Sequence, residues 1–180
     1  MAGVMAGIGA LYGAAALPEI LAPAMQPGTI IASIILAAAL VVLSAIDVRT
    51  LRLPDTLTLP LAVAGLAFAA GLQWDIPVSW RLGAAAGGYL FVRGIDAGYK
   101  RLRGRSGIGQ GDAKLLAAAG AWLGPEGLPA TLLYACAGAL LFVAARALAG
   151  QLTARTEALP FGPFLAGGIW LVWLYGPMVW

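Results

Sequence analysis

Two aspartates in this chain stand where long apolar stretches meet polar ones, and together they have the chemistry to hydrolyse an amide. Asp112 belongs to Gly107-Ile108-Gly109-Gln110-Gly111-Asp112-Ala113-Lys114, a glycine-rich polar strip that leads into the apolar run Leu115 to Leu123. Asp47 closes the apolar run Ile30 to Ile46 and is followed by the basic turn Val48 to Arg52 and by Leu53-Pro54-Asp55. The chain has only eight acidic residues, and an acid at the edge of an apolar run is a functional hypothesis because burying its charge is costly. In such a dyad one carboxylate takes a proton from water while the other protonates or hydrogen-bonds the scissile carbonyl. Two acids sharing a site do not both ionise easily, so their roles separate. Asp112 begins a predicted helix, where the positive dipole end favours the carboxylate, and Asp47 ends one, where the negative end disfavours it. That argument makes Asp112 the base and Asp47 the acid, in a pair that titrates as a unit.

Each motif also has a plainer reading. Asp112 is equally a helix N-cap on a flexible turn, and Asp47 an interfacial cap paired with Arg49 or Arg52. Glycines at 107, 109 and 111 permit close backbone approach, which would let a substrate strand lie beside Asp112. A phosphate-binding loop is the third option, but the Walker spacing and a surrounding βαβ pattern are both missing. Histidine is absent and Cys136 is the sole cysteine. The Ser-His-Asp arrangement, the usual general base, intrachain disulfides and cysteine-based zinc sites are therefore excluded.

The elements that must position the two acids are apolar helices. Hydrophobic residues make up 61% of the chain, charged ones 11%, and the mean hydropathy is +0.89. This is membrane composition rather than that of a soluble domain. At about 20 residues per span, 180 residues have room for six or seven. The expectation is an all-α, polytopic membrane bundle forming a single domain over residues 1–180, with 1–29 supplying an extra N-terminal span at about 3–22. Further spans are predicted over Thr29–Ile46, 54–72, 80–99, the short stretch 112–123, Leu128–Leu148, and from Pro160-Phe161-Gly162-Pro163-Phe164 into the Trp-rich tail. Small residues Ala84 to Gly88 invite close helix packing, and Arg93 and Asp96 form an i,i+3 pair. Trp74 and Trp80 suit an interfacial belt, and Glu19 an interface. If each run crosses once, the turns holding Asp47, Asp112 and Gln151–Glu157 share one face with nearly every Lys and Arg, Arg81 excepted. The positive-inside bias makes that face cytosolic.

Three blocks of this sequence resemble the catalytic domain of the type IV prepilin peptidases, membrane aspartyl proteases with a Gly-x-Gly-Asp motif. They are Ala45-Ile46-Asp47 through Leu53-Pro54-Asp55-Thr56-Leu57-Thr58-Leu59-Pro60, then Gly109-Gln110-Gly111-Asp112-Ala113-Lys114-Leu115-Leu116 with Gly120-Ala121-Trp122-Leu123-Gly124, then Pro160-Phe161-Gly162-Pro163-Phe164-Leu165-Ala166. Their order and separation fit too, over roughly residues 30–175. The resemblance implies Asp47 and Asp112 as the catalytic pair, and Gly109, Gly111, Lys114, Pro160, Phe161 and Gly162 beside the substrate. It also implies removal of the short basic leader of a type IV prepilin or type II secretion pseudopilin, just after a glycine, at the cytosolic face of the bacterial inner membrane. Membrane lipids are the other partner; no metal, cofactor or nucleic acid is implied. Many members also carry a cytosolic domain with paired CxxC motifs and methylate the new N-terminus. No CxxC occurs here, so peptidase activity alone is the expectation. The rival class is a small transporter or scaffold using the two acids for protons or ions; the lack of an internal repeat speaks against it.

Overall fold

The computed structural model describes residues 27–71, 76–104, 109–150 and 159–177. The expected first span with Glu19, and Trp74, Gly107, Gln151–Glu157 and the end of the Trp-rich tail, lie outside them. Contacts divide the chain into a unit of residues 1–36 and a larger one of 37–180. The described part of the first is the opening of α1, where Ser33 Oγ donates to Thr29 O over 2.8 Å.

Among the described residues there are six helices: α1 Pro27–Thr50, α2 Asp55–Gly71, α3 Val78–Arg103, α4 Gln110–Leu123, α5 Gly127–Leu148 and α6 Gly162–Tyr175. Helices α1 and α5 are long and apolar enough to cross a membrane. Val41, Leu140 and Leu141 leave about 70% of their surface uncovered, as expected of a membrane protein whose apolar faces meet lipid. One boundary differs from the sequence reading. The basic turn expected after Asp47 is a further helical turn through Thr50, whose Oγ1 bonds Ile46 O at 2.9 Å, so Asp47 lies inside α1 rather than at its end.

Helix α4 is the hub of the larger unit, packing against α2, α3, α5 and α6. It is buried on nearly all sides from Ala113 to Trp122, as a helix apolar all round must be. Small residues bring its neighbours in, as their sequence promised. A Cβ on Gly120 would lie 2.6 Å from the Ala84–Ala85 backbone, and one on Gly88 would lie 3.1 Å from Leu116 O. Trp122 lies against Gly65 of α2, donates its indole N–H to Leu61 O at 2.8 Å, and forms an aromatic cluster with Phe68 and Trp173. Arg81, the exception to the charge bias, is buried and donates to the carbonyls of Ala121 and Trp122 at the end of α4. A cation there meets the negative end of the helix dipole and satisfies carbonyls that no further turn can reach.

Candidate active site

Asp47 is 5% exposed, and its Oδ2 accepts the backbone N–H of Gly162 at 2.9 Å. The opening of α6 leaves that one donor for it. Pro163 has no N–H, and the amides of Phe164 and Leu165 both turn back onto Phe161 O. A residue with a side chain is excluded from position 162, because a Cβ would come within 2.6 Å of Asp47 Oδ2. The Pro-Phe-Gly-Pro-Phe stretch is thus a helix start whose one free amide is taken by the Asp47 carboxyl.

The chain turns sharply after α1. Leu51 adopts φ +52 and returns its N–H to Asp47 O at 2.8 Å. This is the left-handed position that glycine ordinarily takes at a helix end, and a leucine there stores about 1 kcal/mol. The extended residues that follow bring Leu53 against the first turn of α4, where a Cβ on Gly111 would lie 2.6 Å from Leu53 Cβ. Gly109 has φ −64, open to any residue, and its nearest neighbour would be Asp112 Oδ2 at 3.3 Å. The glycines therefore admit neighbouring parts of this chain, Leu53 at Gly111 and the Asp112 carboxylate at Gly109.

These contacts gather Asp47, Leu51, Arg52, Leu53, Gly109, Gln110, Gly111, Asp112 and Lys114 around one cavity of about 350 Å³. Both sequence-predicted acids line it. Pro160 and Phe161 do not; they shape the start of α6. Lys114 is at the cavity but its ammonium is paired with the Asp55 carboxylate, a partnership between two separate blocks that no spacing rule reveals. Among the described residues neither Arg49 nor Arg52 pairs with Asp47, and the expected Arg93–Asp96 pair forms at 3.4 Å, apart from the cavity lining.

Asp112 stands in the first turn of α4, ahead of the apolar run. Burial, and then the charge of Asp47, push its carboxyl up to about 6. The Gly162 amide gives Asp47 a hydrogen-bond donor that its own helix does not supply. The argument from helix ends is incomplete for both roles. That argument counted each acid's own helix and omitted α6, whose start faces Asp47. The neighbouring charge is testable: Asp47→Asn should bring the Asp112 carboxyl down from about 6, yet leave it above the ordinary 3.8 because burial is the larger cause. Infrared titration of the carboxyl band reads this out, and an unmoved midpoint would mean that the two acids are not electrostatic neighbours.

Residues 34–144 match the type IV leader peptidase family. A protein of Burkholderia pseudomallei (strain 1026b) named prepilin leader peptidase/N-methyltransferase is 50% identical over 145 residues, covering 78% of this chain and 45% of the relative. Proteins of the same name from Aeromonas salmonicida (strain A449) and Xanthomonas campestris pv. campestris are 37% and 40% identical, covering 92% and 80% of this chain and 56% and 50% of theirs. The chain spans about half the length of these curated relatives. No solved structure matches it. With the family's match running from inside α1 into α5 and taking in both cavity aspartates, the chain belongs to the type IV leader peptidase family.

Proposed function

We propose that the chain is an aspartic endopeptidase that removes the leader of a type IV prepilin or pseudopilin, with Asp47 and Asp112 as its catalytic pair. The observation that carries this reading is the shared cavity with two acids in different environments, one held by a backbone amide and one pushed up to about 6. The ionised Asp47 takes a proton from a water molecule, whose oxygen attacks the scissile carbonyl. Asp112 gives its proton to the carbonyl oxygen as the tetrahedral diol forms and takes one back from a diol hydroxyl when that centre collapses, while Asp47 passes the water's proton to the leaving nitrogen. Collapse breaks the C–N bond, the amine leaves protonated, and the dyad returns to its single shared proton. The rival transporter reading gains nothing from a cavity bounded by a linker and helix starts. Incubation of the purified protein with a prepilin in detergent should yield a product whose new N-terminus lies just after the leader glycine; an intact prepilin would refute the assignment.

The orientation follows from the helix ends. Helices α1, α3 and α5 finish in basic last turns carrying Arg49, then Lys100, Arg101 and Arg103, then Arg146, whereas α2, α4 and α6 finish without such residues. If all six helices cross, those cations share the face of the two acids. They then meet anionic headgroups at the cytosolic side of the inner membrane. Arg103→Cys, in a Cys136→Ala background, should react with an impermeant thiol reagent only after cells are permeabilised. Reaction in intact cells would invert the topology.

A further inference from the structure

Four observations converge on the linker between α1 and α2. Leu51 holds a left-handed φ of +52 although it is 49% exposed, so burial is not what keeps it there. Its amide is tied back to Asp47 O, which fixes the near end of the linker to the helix bearing one acid. Leu53 is buried against the backbone of Gly111, next to the other acid. At the far end Asp55 pairs with Lys114, two residues beyond Asp112. The linker is thus pinned to both acid-bearing helices, and only one of the pins is electrostatic.

We infer that Asp55 is a positioning residue for the dyad: through Lys114 it clamps the strained linker onto the start of α4 and so sets how the Asp47 and Asp112 carboxylates face each other. This rests on the peptidase reading. It gives Lys114 a task inside the chain instead of a contact with substrate, and the two alternatives separate kinetically. A clamp acts on the geometry of the reacting groups and is read in kcat, whereas a substrate contact made equally in the ground and transition states is read in KM.

The test is charge exchange in the full chain. Asp55→Lys and Lys114→Glu each place like charges at the pin and should lower kcat about tenfold, equivalent to about 1.4 kcal/mol, with KM unchanged. The double variant Asp55→Lys/Lys114→Glu restores the attraction with reversed sign and should return kcat to within about threefold of the parent. A double variant as slow as the singles overturns the clamp, as do singles with parental kcat or singles altered in KM alone. A second measurement does not need activity. Spin labels at Thr56→Cys and Gln110→Cys, both exposed positions, in a Cys136→Ala background should give one narrow distance distribution. Lys114→Glu should broaden it and the charge exchange should narrow it again. Were the parent to release no leader, the peptidase reading would fall while these distances still decided the clamp; a distribution indifferent to Lys114→Glu would overturn the clamp alone.

Discussion

Asp47→Asn and Asp112→Asn are each expected to lower leader release by about a thousandfold or more, with the helical fold retained. Asparagine preserves the shape of the side chain and removes its ability to exchange a proton, and acid–base groups of this type contribute on the order of 10² to 10⁴ each. Because Asp47 and Asp112 line one cavity and the proposed mechanism runs on one proton between them, the double variant should be about as inactive as either single variant, the non-additivity of groups that act as a unit. Glu126→Gln is a suitable comparison, since Glu126 is exposed in the turn between α4 and α5 at the other end of α4. Asp55 is not a neutral comparison, because it is paired with Lys114. Near-parental cleavage by Asp112→Asn, or loss of parental cleavage on chelation while the asparagine variants still work, would refute the dyad.

The second large effect belongs to glycines, and it is an ordering rather than a single value. Gly162→Ala must displace the Asp47 carboxylate, since the new Cβ would stand 2.6 Å from Oδ2. Gly111→Ala must push Leu53 and the linker off α4, with 2.6 Å to Leu53 Cβ and 3.1 Å to Leu53 N. Misplacement of a catalytic group by about 1 Å costs on the order of a hundredfold, so both should lose about that much in kcat. Gly109→Ala meets only the end of the Asp112 side chain at 3.3 Å and should lose less than about tenfold, by the same geometric reasoning. Gly94→Ala, with nothing within 4 Å of the added atom, should cleave normally. Equal loss at Gly109 and Gly111 would mean that the motif works by flexibility or by admitting substrate, and that Leu53 is incidental.

Much of this molecule was legible before any coordinates, for reasons that are local. Apolar runs long enough to be helices, interrupted by Pro and Gly, placed α2 to within a residue at either end and α5 to within one at its start, because backbone hydrogen bonding in an apolar setting leaves few alternatives to a helix. The rarity of acids singled out Asp47 and Asp112, and the small residues of α3 announced close helix packing, though not its partner. What only the tertiary structure decided is what stands across from each of these groups. Gly162 lies 115 positions from Asp47 in the chain and supplies its hydrogen bond; Lys114 lies 59 positions from Asp55 and takes its charge. Arg81 looked misplaced on the wrong side of a charge asymmetry until the end of α4 came to it. The surroundings of the two carboxylates went beyond the sequence for the same reason. A helix dipole calculated along one's own segment is a sequence property, whereas the field at a carboxylate sums every helix end and every buried surface that folding brings beside it.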